Sequence, residues 1–244
     1  MKLIDNKENK ITFIEEIDES LANAIRRYVN EIPILAVKEV EIHKNDSALY
    51  DETIAHRIGL IPLEMDSSYD DKTEIELKLS VNEEGLVYSG ELKGKAKVVY
   101  DKIPITLLGK DQEMILIAKA NVGKGVEHAK YSPGMIYYRN IGELKFDKNC
   151  DACQECINSC PKNLLKIENK KIILEDDNFK CDMCDVCVET CRKHGKNSIQ
   201  IVPRKEIAVT IESYGQLNSK EILNKSIKRL KQDLSEISKK IDKA

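Results

Sequence analysis

Eight cysteines constrain this chain more than any other feature, because all lie between positions 150 and 191 and repeat one spacing. Cys150, Cys153, Cys156 and Cys160 form a C-x2-C-x2-C-x3-C run, and Cys181, Cys184, Cys187 and Cys191 repeat it 31 residues later. Three cysteines at two-residue gaps let one tight loop wrap a face of an iron–sulfur cubane. A fourth cysteine, four residues on, begins a short helix that leads away from that cubane and can reach a second one. Disulfides are disfavoured, since the start Met1–Lys10 lacks the apolar stretch of an export signal. Structural zinc usually sits between two well-separated cysteine pairs, whereas here three cysteines come at once, twice. The spacing reveals ligation and leaves redox use open; a cluster can also serve as a staple.

Over about residues 146–202 the pattern resembles the bacterial-type two-cluster ferredoxin domain. In that family the fourth cysteine of each run ligates the other cluster. The resemblance therefore implies one [4Fe–4S] cluster on Cys150, Cys153, Cys156 and Cys191, and a second on Cys181, Cys184, Cys187 and Cys160. Pro161 follows the first run as the motif requires, and 163–167 and 197–201 read as equivalent exit strands. Two features depart: Arg192 stands where a proline is expected, and three extra residues separate Cys191 from Asn197.

Most of the 244 residues lie outside that segment. Hydrophobic residues make up 41% and charged residues 33% of the chain, a globular composition with enough apolar material for a core. No apolar run approaches the ~18 residues that span a bilayer, so neither membrane nor export is expected, and the location expected is cytoplasmic. Residues 1–80 hold 10 Lys and Arg against 18 Asp and Glu, and Trp is absent. Tight nucleic-acid binding by this chain alone is therefore not expected.

Hydrophobic periodicity predicts a helix over 18–30, with Asp18 as N-cap, an apolar face of Leu21, Ala24, Ile25, Tyr28 and Val29, and Pro33 ending it. Arg26 and Arg27 lie off that face. Strict alternation at 73–81 predicts a half-buried strand, with further strands at 36–42, 95–100, 113–120 and 206–212 and a helical element near 51–59. A long amphipathic helix is predicted over 218–242, opened by an Asn218–Glu221 capping box. Its seam Leu223, Ile227, Leu230, Leu234, Ile237 and Ile241 suits a partner helix in a bundle or packing on its own domain. Neither a D-x-D motif nor a phosphate-cradling glycine loop is present, and the paired aspartates Asp70-Asp71 and Asp176-Asp177 read as solvated turns.

Three motifs in order carry a second resemblance. The run 20–27 followed by Ile32-Pro33 and Ala36-Val37, the run 56–63 (His-Arg-Ile-Gly-Leu-Ile-Pro-Leu), and the segment 207–217 with the terminal helix resemble the alpha-like subunit family of archaeal RNA polymerases, whose D-type members carry a ferredoxin-like insertion. The resemblance implies an α+β chain of three parts. A discontinuous alpha-like dimerisation domain takes 1–40 and 208–244, a mainly β insert domain takes 41–147 and 201–207, and the ferredoxin-like iron–sulfur domain takes 148–200. It further implies a non-catalytic subunit that pairs with the small subunit L and docks the large catalytic subunits, meeting DNA only through the complex. Arg26, Arg27, His56 and Arg57 are then candidate contacts to a large subunit, and Leu223, Ile227, Leu230 and Leu234 to subunit L. The competing reading is a ferredoxin-type electron-transfer subunit of an oxidoreductase, which leaves 18–63 and 206–244 unexplained.

Overall fold

The computed structural model describes residues 1–148, 150–169, 171–174 and 180–243. In chain order the strands are β1 (Lys2–Lys7), β2 (Lys10–Glu15), β3 (Pro33–Asn45), β4 (Glu74–Val81), β5 (Gly85–Tyr88), β6 (Lys93–Gly94), β7 (Pro104–Leu108), β8 (Met114–Lys124), β9 (Gly134–Phe146), β10 (Leu165–Glu168), β11 (Lys171–Leu174) and β12 (Ile199–Ser213). The helices are α1 (Glu19–Tyr28), α2 (Asp51–Gly59), α3 (Glu155–Ser159), α4 (Val186–Lys193) and α5 (Ser219–Ile241). The chain is α+β and divides into two compact units, one of residues 1–6, 12–22 and 137–210, the other of 7–11, 23–136 and 211–244.

The second of these units is built on an antiparallel sheet of order β3-β8-β4-β6. β3 pairs with β8 from Pro33↔Lys124 to Asn45↔Met114, with irregularities at Val37/Glu39 and Ile42/Lys44. β4 pairs with the other edge of β8, and its alternation is the one predicted: Ile75, Leu77 and Leu79 are buried while Glu74, Glu76, Lys78 and Ser80 are exposed. Helix α2 covers the apolar face, sinking Ile54 and Ile58 completely. These positions are four apart and share one helical face, and burying each side chain is worth ~1.5–3 kcal/mol before ordering costs. The opposite face is charged, with Lys119 ion-paired to Glu41.

Two expectations fail here. Residues 95–100 are not a strand: only Val98 forms a bridge, to Leu63. Pairing stops there because the neighbouring Pro62 has no N–H to extend a ladder; its carbonyl accepts from Val99, and Lys97 accepts from Glu64. Ala96 and Val98 are buried all the same, so the alternation reports burial without a ladder. Helix 18–30 is also shorter than predicted, giving way at Val29–Glu31 to a 3-10 turn before β3 starts at Pro33.

The first unit carries most of the sheet of order β1-β2-β12-β9. Ile14, Ile141 and Ala208 pack with Ile4 in a small core, and Thr12 and Thr210 hydroxyls meet at 3.1 Å. The β1–β2 pair was not predicted, since Lys2–Lys7 has no apolar alternation. The same unit holds the cysteine module, whose core joins Cys156, Cys187 and Cys191 to Leu165, Ile172 and Ile199. The two predicted exit strands are not equivalent. β10 turns back to pair with β11, while β12 begins at Ile199 and runs into the four-stranded sheet. Asp176-Asp177 lies outside the described residues.

Candidate metal centre and docking faces

Each cysteine run is bent by the same device. Ala152 and Gln154 in the first loop, and Met183 and Asp185 in the second, all have positive φ, between 53° and 69°. These pairs correspond under the 31-residue shift. A left-handed conformation costs a non-glycine residue of order 1–2 kcal/mol, and such strain persists where the surroundings over-determine it, as in ligand loops. The bends bring each chain into a short helix, so that Cys156 and Cys187 enter the first turns of α3 and α4, which pack on each other.

The departures in the second run have a local explanation. Pro161 follows the first run, and α3 has ended at Ser159. Arg192 imposes no such stop, so α4 continues to Lys193 and is three residues longer than α3. Gly195, at φ +74°, then closes it: its N–H donates to the Arg192 carbonyl at 2.9 Å and the Lys196 N–H to the Cys191 carbonyl at 3.1 Å. This is a Schellman stop, which calls for glycine at the left-handed position.

None of the eight cysteines is joined to another in a disulfide. Cys156, Cys181, Cys187 and Cys191 are buried, whereas Cys153 and Cys184 reach the surface. Burial, with Cys150, Cys153 and Cys191 beside it, pushes the Cys156 thiol up to about 11. Cys187 is likewise pushed up to about 11 by burial, with Cys181, Cys160 and Cys184 around it. The groups acting on each buried sulfur are thus two cysteines of its own loop and the fourth cysteine of the other run. Among the described residues no three His, Cys, Asp or Glu side chains are gathered to hold a single metal ion. A cubane presents four separate iron corners, so its thiolates sit farther apart than the ligands of one ion. The donor chemistry, all thiolate in two quartets backed by apolar side chains, fits such a group.

Charged side chains frame the loops. Lys196 pairs with Asp151 at 2.6 Å, Lys162 pairs with Asp182, and Arg139 donates to the Cys181 carbonyl at 3.1 Å. Sequence reasoning missed Arg139, which sits on β9, 42 residues before the cysteine it meets.

The predicted docking residues divide. Arg26 and Arg27 are exposed, and Arg26 donates to its neighbour Asn23 through Nε and Nη2. His56 is exposed, whereas Arg57 ties α2 to β7 by donating to the Ile105 carbonyl at 2.8 Å. The apolar face expected for this helix is only partly buried: Val29 is buried in the 3-10 turn, Ala24, Ile25 and Tyr28 are half-buried, Leu21 is 46% exposed, and Ala22, outside the predicted stripe, is buried as well. Helix α5 opens with the predicted capping box and packs on the 3-10 turn at Val29–Glu31. Its buried residues are Ser219, Ile222 and Ser226. The predicted seam lies beside that stripe: Leu223, Ile227 and Leu230 are half-buried, while Leu234 (57%), Ile237 (54%) and Ile241 (69%) are exposed.

Comparison with known proteins places this architecture. Residues 40–138, which hold most of the β3-β8-β4-β6 sheet, match the RNA polymerase Rpb3/RpoA insert domain. Residues 144–192 match a 4Fe–4S dicluster domain. The DNA-directed RNA polymerase subunit Rpo3 of Archaeoglobus fulgidus is 31% identical, over 99% of this chain and 97% of its own length. The chain belongs to the Rpo3 family of DNA-directed RNA polymerase subunits. The Rpo3 subunits of Pyrococcus furiosus (33% identical, 94% of this chain and 92% of the relative) and Pyrococcus horikoshii (37%, 72% and 73%) agree. Within this Rpo3-type chain the cysteine module is an iron–sulfur domain, and no helix among the described residues is long and apolar enough to cross a membrane.

Proposed function

We propose that this chain is a non-catalytic assembly subunit of its polymerase, with a dimerisation domain formed by 1–40 and 208–244, an insert domain by 41–147 and 201–207, and the iron–sulfur domain by 148–200. The dimerisation domain pairs with the small subunit L through the α5 seam of Leu223, Ile227, Leu230 and Leu234. The observation that carries this reading is the uncovered row Leu234, Ile237 and Ile241, continuous with half-buried Leu223, Ile227 and Leu230, on a helix that already buries Ile222 and Ser226 within its own unit. Burying what remains exposed of four seam side chains, at up to ~1.5–3 kcal/mol each, offsets a good part of the ~4–15 kcal/mol of lost freedom that association costs. Arg26 and Arg27 on α1, with His56 and Arg57 on α2, face a large catalytic subunit; a guanidinium fork suits carboxylates and carbonyls there.

In this reading the domain holds two [4Fe–4S] clusters, on Cys150, Cys153, Cys156 and Cys191 and on Cys181, Cys184, Cys187 and Cys160. The groups surrounding Cys156 and Cys187 support the crossed sets. When bound, the clusters supply eight iron–thiolate bonds that brace a module too small to rest on its own core. Cluster loss then loosens the module and lowers assembly. The protein works in the cytoplasm.

The test mixes the anaerobically purified chain with the small subunit and then with the large ones. Stoichiometric pairing that fails in a Leu230→Glu/Leu234→Glu variant supports the assignment. A chain that stays alone, or that instead co-purifies with a flavoprotein, overturns it in favour of electron transfer.

A further inference from the structure

The two cysteine runs are tied by more than their sulfurs. Each places an aspartate directly after its first cysteine, Asp151 and Asp182. Each aspartate is gripped by a lysine from the exit of the opposite run. Lys196, just before Asn197, pairs with Asp151 at 2.6 Å, and its ammonium also meets the Cys153 sulfur. Lys162, just before Asn163, pairs with Asp182 and donates to the Lys180 carbonyl at 3.2 Å. The three extra residues of the second run do not break this correspondence, because α4 and its stop at Gly195 absorb them. The clasps also differ: Asp182 has a second cation, Arg139, at 3.4 Å.

We propose that Lys196 and Lys162 are positioning residues for cluster retention. Each fastens the loop that gives three cysteines to one cluster onto the exit of the other run, so the clusters are kept or lost as a pair. The inference rests on the two-cluster reading above. The clasps run in the same sense as the crossed fourth cysteines. Iron is most open to attack where Cys153 and Cys184 reach the surface, and opening either loop requires a clasp to release. The paired side chains are a third to a little over half exposed, so each clasp acts modestly and is screened by salt.

The test uses the full chain, loaded anaerobically, with iron and sulfide counted before a ferrous chelator is added. Two clusters correspond to about eight irons. A count near four or zero overturns both this inference and the two-cluster reading, whereas eight irons with unaffected variants overturns this inference alone. The expected result is single-phase release, roughly two- to fivefold faster in Lys196→Gln and less accelerated in Lys162→Gln, where Arg139 remains. Lys196→Arg should behave as wild type, Asp151→Lys/Lys196→Asp should recover most of the loss, and high salt should bring wild type toward the Lys196→Gln rate. If the reversed pair fails to load, the arginine variant and the salt series decide. Wild-type release from Lys196→Gln, no salt effect, or acceleration of only half the iron overturns it.

Discussion

Asn218 and Glu221 cap each other at the start of α5: the Asn218 Oδ1 accepts from the Glu221 N–H at 2.9 Å, and the Asn218 N–H donates to Glu221 Oε2 at 3.2 Å. Two of the helix's otherwise unpartnered donors are thereby satisfied. Asn218→Ala should cost about 1 kcal/mol of stability, seen as a lower denaturation midpoint with an unchanged slope. The same variant should weaken small-subunit binding, because the cap orders the helix that carries the seam.

Two α5 residues separate folding from docking. Ile222→Ala removes a fully buried side chain and should cost about 2–5 kcal/mol of the chain's own stability. Leu234→Ala should change that stability by no more than about 0.5 kcal/mol, yet measurably weaken association with subunit L by calorimetry. Equal effects on both measurements would mean the seam is no interface.

The arginines divide in the same way. Arg57→Ala breaks the bond to the Ile105 carbonyl and should destabilise the unit holding α2 by roughly 1 kcal/mol or more. The double variant Arg26→Ala/Arg27→Ala should leave melting nearly unchanged while reducing recruitment of large subunits to the proposed pair with the small subunit, scored by co-purification.

Gly195 offers a purely conformational test. Nothing lies within 4 Å of the place a Cβ would occupy, but φ is +74°. Gly195→Ala should therefore cost about 1 kcal/mol, and it should also loosen the turn that presents Lys196. Thermal melting of the loaded module and its iron retention should fall together.

Iron removal should act locally. In hydrogen exchange, chelator-treated chain should lose protection in α3 and α4, while amides of β3, β8 and β4 stay protected in their own sheet and core. Uniform loss of protection would show that the cysteine module supports the whole chain.

Local signals were the legible ones. The 73–81 alternation gave β4 because one face is core and the other solvent, and 51–59 matched α2 to the residue. The cysteine spacing carried its two loops because a repeated period survives any context. What escaped depended on partners distant in sequence. Val98 alternates like a strand residue, but Pro62, next to its partner Leu63, cannot extend the ladder. The stripe Ser219, Ile222 and Ser226 is less apolar than Leu223, Ile227 and Leu230, so periodicity marked the seam and passed over the face that α5 buries in its own unit. Arg139 meets Cys181 only through the path of β9.

The bare row at the end of α5 also bears on supply. A copy made without a companion to lie over Leu234, Ile237 and Ile241 offers that greasy edge to other copies, inviting clumping. If the proposed small subunit lies over that row, production of the two chains in step is the simplest protection against that waste.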